Sequence, residues 1–392
     1  MPGTGRAAGQ GAVTQPADQQ GLARAAAIEF AEGRYGELYA RFDARMRSAI
    51  TEQMLRQSVG PQVIAPAGAF ERVDGATACQ ATPAAGVRAC VTPLLFAQSR
   101  LSLRVVVDAA GQVVGLFVAG MTPRDTGGLH VSAGDVRLPA VLTLPAGSGP
   151  HPVIVLVHGS GDHDGDETIG ANKPFRDLAE GLMQRGIGTL RYFKRGRLAP
   201  LGRDATLEDE TIADALAAVR LAREQPGVDA ARVFVLGHSL GGYLAPHLAT
   251  RDTAIRGLIV LAGNTRPMRE SVLDQVRHLT GSDASFETVW QELPPRYQAG
   301  LPDYDPAAVA GSLTRPLLIL QGGRDYQVTD KDFARWQAAL DGRANATLKY
   351  YPALNHLFIA GDDVSMPAEY LVAGRVADSV IADIAEWVHA QP

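Results

Sequence analysis

The chain has 392 residues, is 46% hydrophobic and 20% charged, and carries a formal net charge of -5. That length suggests two or three domains with ample material for a core, and the composition is that of an ordinary globular protein, not a disordered one. The mild negative charge argues against nucleic acid or anionic membrane as a partner, and no apolar run approaches the roughly 20 residues that span a bilayer.

Residues 1–20 are rich in Gly, Ala, Gln and Thr, lack the apolar core of a signal peptide, and read as a flexible tail. From about Gly21 to Val59 the period is helical: Leu22, Ala26 and Phe30 lie one turn apart, as do Leu38, Phe42 and Met46. From Ala69 to Val118 the period becomes two. Leu101, Leu103, Val105 and Val107 alternate with polar or small residues, and Asp108 to Gln112 turns the chain into Val113–Val118. Helices followed by an antiparallel meander predict a small α+β domain over 21–121. Cys79 and Cys90 flank the turn-like Pro83-Ala84-Ala85-Gly86, so two strands meeting there would bring them within disulfide reach. A bonded pair points to an oxidising compartment; two unlinked buried thiols are the alternative. No His or Cys cluster surrounds them, so no metal is expected there.

Residues 122–128 form a polar link containing Gly and Pro. Beyond it, over 129–392, strands and helices alternate. Strands are predicted at Leu129–Val131, Leu138–Leu144, Val153–Val157, Thr189–Tyr192, Val233–Leu236, Leu258–Leu261, Leu317–Leu320 and Leu348–Tyr351. The Val153 run is continuously apolar, as a strand covered on both faces requires. Helices are predicted at Pro174–Arg185, ending at Gly186, and at Thr206–Arg223 with Thr206 as N-cap. Val376, Val380, Ile384 and Val388 make the buried stripe of a closing helix. The stretch 266–310 carries Met268, Val272, Val276, Leu279, Val289 and Trp290 but no strand. It reads as a helical cap over the sheet ends, where open α/β folds place their sites.

Gly237-His238-Ser239-Leu240-Gly241 follows the apolar run Val233–Leu236 and precedes the helix-like stretch Tyr243–Thr250. A Gly-x-Ser-x-Gly pattern is weak by itself. At a strand-to-helix junction it marks a strained turn that lifts a nucleophilic serine and needs small neighbours.

With that elbow, residues 129–392 resemble an α/β-hydrolase: a mostly parallel twisted sheet with helices on both faces and a helical cap. The resemblance extends to Gln321-Gly322-Gly323-Arg324-Asp325 after one strand and Tyr351-Pro352-Ala353-Leu354-Asn355-His356 after the next. It implies a Ser239, Asp325, His356 triad in the family's chain order. His356 would take the Ser239 proton and pass it to the leaving group, while Asp325 would set the imidazole tautomer. The resemblance also implies an oxyanion hole of backbone N–H groups from Leu240 and Ser160. Ser160 lies in His158-Gly159-Ser160-Gly161, with His158, Gly159 and Gly161 as the supporting loop. No cofactor or metal is required. Asp162-His163-Asp164-Gly165-Asp166-Glu167 resembles a calcium loop in part, but lacks the closing Glu and reads as a solvated loop. Asp330 is the rival acid and is expected to cap the following helix; His238 is expected to pack. Arg191, Lys194 and Arg195 are expected to form surface pairs with Asp204 or Glu208.

Ala171-Asn172-Lys173-Pro174-Phe175-Arg176-Asp177 and Leu354-Asn355-His356-Leu357-Phe358 further resemble a bacterial subgroup related to dienelactone hydrolases and prolyl oligopeptidases. Its members carry a small N-terminal domain, here similar in element order to the nuclear transport factor two-like fold, and are often exported. The expectation is a serine hydrolase that cleaves a carboxylic ester of a small molecule through an acyl-enzyme. The alternatives are a serine peptidase or amidase, an acyl-transferring or ring-forming enzyme that uses the same triad, and a ligand carrier on this scaffold.

Overall fold

The computed structural model describes residues 18–123, 128–199 and 201–391. The chain divides into two compact units, residues 1–124 and 125–392. Most of the tail expected at 1–20 lies outside the described residues. Its last two residues do not belong to a tail, because a helix starts at Gln19 once the Asp18 side chain accepts the Gly21 N–H at 2.9 Å.

In the first unit, helices from Gln19–Ala31 to Gly60–Ala67 precede five antiparallel strands: β1 (Phe70–Val73), β2 (Ala78–Ala81), β3 (Arg88–Phe96), β4 (Ser99–Val107) and β5 (Val113–Pro123). In β4, Leu101, Leu103, Val105 and Val107 are buried on one face against Ala23, Ala26, Ala27 and Phe30 of the first helix, as the period of two requires. β5 runs five residues past its expected end at Val118, to Pro123. The residues expected to begin the link therefore pair with Ser99 and Arg100 instead. Residues 124–127 of that link lie outside the described residues. Cys79 and Cys90 sit directly opposite each other in the β2–β3 register and are disulfide-bonded, which excludes the reading of two free thiols.

The second unit is an eight-stranded, mostly parallel sheet with helices on both faces. Its strands are β6 (His130–Ala133), β7 (Val136–Thr143), β8 (His151–Val157), β9 (Gly188–Tyr192), β10 (Val228–His238), β11 (Leu258–Leu261), β12 (Leu317–Gly322) and β13 (Ala346–Tyr351). They lie in the order β6-β7-β9-β8-β10-β11-β12-β13, with only the β6–β7–β9 edge antiparallel. Successive residues of the central strands feed opposite layers. Val153, Val155, Val233, Val235, Leu258 and Leu317 pack with helices Ala213–Arg223 and Leu240–Arg251. Ile154, Leu156, Phe234, Leu236, Ile259 and Leu318 pack with Pro174–Met183 and Asp378–His389. That two-sided burial is why these strands read as unbroken apolar runs.

Between β11 and β12 the chain forms helices Met268–Thr280, Phe286–Glu292, Pro295–Ala299 and Pro306–Ser312 and no strand. Val272, Val276, Phe286 and Trp290 form this insertion's own small apolar cluster. Among the described residues no helix is long and apolar enough to cross a membrane.

Candidate active site

The turn after β10 places Ser239 at φ 52° and ψ -115°, a left-handed conformation that costs free energy in any non-glycine residue. The surrounding packing enforces it. A Cβ on Gly237 would lie 2.1 Å from the Gly241 carbonyl oxygen, and one on Gly241 would lie 2.2 Å from that of Val157. Both glycines of the motif are therefore needed for the helix to start this close to β8 and β10. Leu240 is the first residue of the helix Leu240–Arg251, so its N–H is among the unpaired donors at a helix N-terminus, where negative charge is favoured.

Asp325 and His356 come from the loops after β12 and β13, beside the end of β10. His356 Nδ1 and Asp325 Oδ2 are 2.6 Å apart and both side chains are buried. The other oxygen of Asp325 accepts the backbone N–H groups of Gln327 and Val328, at 2.7 and 3.0 Å, which pins the carboxylate. Asn355 frames the histidine loop: its Oδ1 accepts the N–H groups of Leu357 and Ile359, and its Nδ2 donates to Glu369. Ser239, His356, Gly159 and Ser160 line one cavity of about 230 Å³, together with His163, Ile169, Tyr326, Gln327 and Tyr370. Asp330 is not part of it. The helix after β12 is capped by Thr329 in a capping box with Asp332, and Asp330, its first residue, accepts the Tyr350 hydroxyl at 2.8 Å. Asp330 therefore does not supply the expected cap, because Thr329 precedes it with the hydroxyl in place.

The loop His158–Gly161 approaches Ser239 closely: a Cβ on Gly159 would stand 3.2 Å from that of Ser239. His158 Nε2 donates to the Asp164 carbonyl at 2.9 Å, and its ring packs on Phe175 and Tyr192. Burial pushes His158 down to about 3, so it stays neutral.

A family model for the prolyl oligopeptidase family matches residues 203–371. Over 324 residues, 75% of this chain and 78% of the relative, the sequence is 40% identical to Esterase EstD of Thermotoga maritima. The chain belongs to the α/β-hydrolase superfamily of serine hydrolases. The solved structure of Est1E from Butyrivibrio proteoclasticus with ferulic acid bound is 20% identical, covers 67% of this chain and 98% of its own, and superposes with a TM-score of 0.50. That likeness bears on the fold.

In this serine hydrolase, two expectations about side chains near Ser239 fail. The segment Asp162–Glu167 is solvated only in part: Asp162 is exposed, but the segment's end is not. Glu167, at φ 51°, turns inward and is wholly buried. Its Oε1 accepts the Gly159 N–H at 2.6 Å, and its Oε2 lies 2.9 Å from His238 Nδ1, a charge contact. His238 is more than packing, since its Nε2 donates to the His356 carbonyl at 3.0 Å. Burial opposes the charge on both partners, but their mutual attraction outweighs it: Glu167 is held at about 2 and His238 is raised. A buried ion pair thus joins the loop His158–Gly161 to the loop that carries His356.

The basic residues at and just past the end of β9 also depart from expectation. Arg191 pairs with Asp166, and Arg195 with Asp214. Lys194 is buried and donates to Glu210 Oε1 at 2.5 Å and to the Gly159 carbonyl at 2.8 Å. Glu208 instead pairs with Arg251. The reason is that residues 208–212 form a π-helical turn before Ala213–Arg223, which turns Glu210 into the core. Thr206 and Asp209 do exchange capping hydrogen bonds at the start of that segment.

Proposed function

We propose that the protein hydrolyses a carboxylic ester of a compact small molecule through an acyl-enzyme on Ser239. The observation that carries this is the 2.6 Å His356–Asp325 contact opening on the same cavity as a serine held in a strained elbow. Ser239 Oγ attacks the acyl carbonyl as His356 Nε2 takes its proton. Asp325 holds the Nδ1–H tautomer and stabilises the imidazolium. The Leu240 and Ser160 N–H groups receive the oxyanion. His356 then protonates the departing alcohol, activates water on the second half-reaction, and releases the acid.

Kinship with an esterase and the character of the cavity favour an ester over a peptide. Recognition of a free peptide amine calls for an uncommitted carboxylate at the cavity wall. Glu167 lines it, but one of its oxygens is engaged by Gly159 and the other faces His238. A space of about 230 Å³ also suits a short acyl group better than a chain of residues.

Ser239→Ala is expected to fold, to lose fluorophosphonate labelling, and to lose turnover of short-chain nitrophenyl esters. A variant that still formed the covalent adduct would falsify the assignment. Wild-type protein that never labels would be a carrier, and aminoacyl amides outrunning esters would make it an amidase.

A further inference from the structure

The two peptide planes that flank Ser160 are each held by groups outside the triad. Because a peptide is planar and trans, fixing the Gly159 carbonyl fixes the direction of the Ser160 N–H, which points the opposite way. That carbonyl accepts from Lys194 Nζ at 2.8 Å. In the next plane, the Ser160 carbonyl accepts from His163 Nε2 at 2.7 Å, and the Gly161 N–H donates to the Tyr297 hydroxyl at 2.9 Å. Tyr297 has one proton to give, and it goes to Glu210 Oε1 at 2.7 Å, the same oxygen that binds Lys194 at 2.5 Å. Arg296 neutralises the other oxygen of Glu210. Glu210 and Lys194 are buried almost completely, so these bonds act in a low dielectric where geometry is stiff.

The chain of bonds runs from Gly161 through Tyr297 and Glu210 to Lys194 and back to Gly159. It starts and ends on the two peptide units that flank Ser160, one of which carries the Ser160 N–H. Two of its contributors, Arg296 and Tyr297, belong to the helical insertion between β11 and β12. We propose that Lys194, Glu210 and Tyr297 together aim the Ser160 N–H, and that Tyr297 makes this donor depend on the seating of the helical insertion. These are positioning residues, since none is placed on the reacting atoms. The inference rests on Ser239 as nucleophile and Ser160 as oxyanion donor.

Tyr297→Phe removes only the hydroxyl and leaves the Lys194–Glu210–Arg296 ion pairs in place. Tyr304→Phe is the matched control. Tyr304 is a partly buried tyrosine of the same insertion, donating to the Tyr243 carbonyl at 2.7 Å and accepting the His247 N–H at 3.2 Å, with no bond to the oxyanion loop among the described residues. Both variants lose one donated and one accepted hydrogen bond, but the one that Tyr297 gives to the buried Glu210 carboxylate is the stronger, so Tyr297→Phe should lose somewhat more thermal stability than Tyr304→Phe, and the kinetic readouts carry the comparison.

Removing an oxyanion donor outright costs about 10²–10³ in kcat, so loosening one should cost roughly 10–100-fold. With a short nitrophenyl ester, Tyr297→Phe is expected to lower kcat by that factor with KM within about threefold of wild type. The affinity for a boronic acid, whose tetrahedral serine adduct occupies the oxyanion hole, should weaken in parallel, while Tyr304→Phe stays near wild type on both readouts. Equal kcat losses in the two variants, a change confined to KM, or unchanged boronate affinity in Tyr297→Phe would each overturn the proposal. Each of those outcomes leaves the Ser239 assignment intact, which the labelling of Ser239→Ala tests separately.

Discussion

Replacing Glu167 by Gln removes a buried charge while keeping the side chain's shape. The amide oxygen can still accept the Gly159 N–H, and the amide nitrogen can face a neutral His238. The cost can be worked from the proton equilibria. Glu167 is held at about 2 against an ordinary value of 4.5, a difference of 2.5 units, and at 1.36 kcal/mol per unit it contributes about 3 kcal/mol. Because the folded value is the lower one, this stabilisation is complete above about pH 4.5 and is lost as pH falls through about 2. His238 is raised, so the same pair loses its contribution on the other side, as pH rises above about 6.5 and through the folded value of the imidazole. The two wings describe one interaction and are counted once.

Glu167→Gln should therefore be least stable relative to wild type near pH 5–6, by about 3 kcal/mol. At roughly 2–4 °C per kcal/mol for a domain of this size, that is about 6–12 °C in Tm. Near pH 3 the deficit should shrink to about two-fifths, since about three-fifths of the interval from 4.5 to about 2 has been crossed. Scanning calorimetry of both proteins across pH 3–9 measures the difference directly, and other carboxylates cancel in it. A deficit that is the same at pH 3 and pH 6 would mean that Glu167 acts by packing, not by charge, and would refute the ion-pair account.

Four further outcomes are expected. Asp325→Asn should lower turnover by several orders of magnitude, about 10⁴ in a comparable triad. Asp330→Asn keeps an oxygen that can accept the Tyr350 hydroxyl and loses only a first-turn charge, so it should cost about 1 kcal/mol or less by thermal melting, with turnover near wild type; the reverse ranking would move the acid to Asp330. Replacing Cys79 and Cys90 together by Ala opens a loop with a sequence separation of 11 and should destabilise the N-terminal unit by about 3 kcal/mol in denaturant titration; two alkylatable thiols in the untreated protein would contradict the bond itself. A fragment of residues 129–392 should fold and retain esterase activity, because its two main apolar clusters draw on residues from Val131 onward, and the N-terminal cluster on Ala23 to Met121. A folded but inactive fragment would show that the N-terminal unit contributes to the reaction.

Legibility in the sequence follows the range of the forces involved. Val153–Val157, Val233–Leu236 and Leu317–Leu320 read as strands because burial on both faces leaves no room for a polar residue, and all three lie inside observed strands. The elbow was legible for a related reason. Gly237 and Gly241 are excluded from bearing a Cβ by backbone atoms at about 2 Å, so the constraint is written as residue type at fixed spacing. Strand ends were less legible: β5 continues to Pro123 because a partner strand is available at Ser99 and Arg100, and pairing across strands leaves no local signature.

The failures concentrate on charged residues whose partners are distant in sequence. Asp162–Glu167 is dense in acids, and density argues for solvent. Yet Glu167 is driven inward by His238, a residue 71 positions later, and by an amide of its own loop. Lys194 and Glu210 each look like surface charges by composition, and a buried charge is tolerated only when paired and hydrogen-bonded. Each has that pairing, but it depends on Tyr297 and Arg296 arriving from the insertion and on a π-helical turn that redirects Glu210. Residues that act on a substrate are recognisable by local motif because their chemistry demands a type at a place. Residues that hold those in position answer to whatever the fold brings beside them, and Glu167, Lys194 and Tyr297 surround the loop His158–Gly161 without sharing a motif with it.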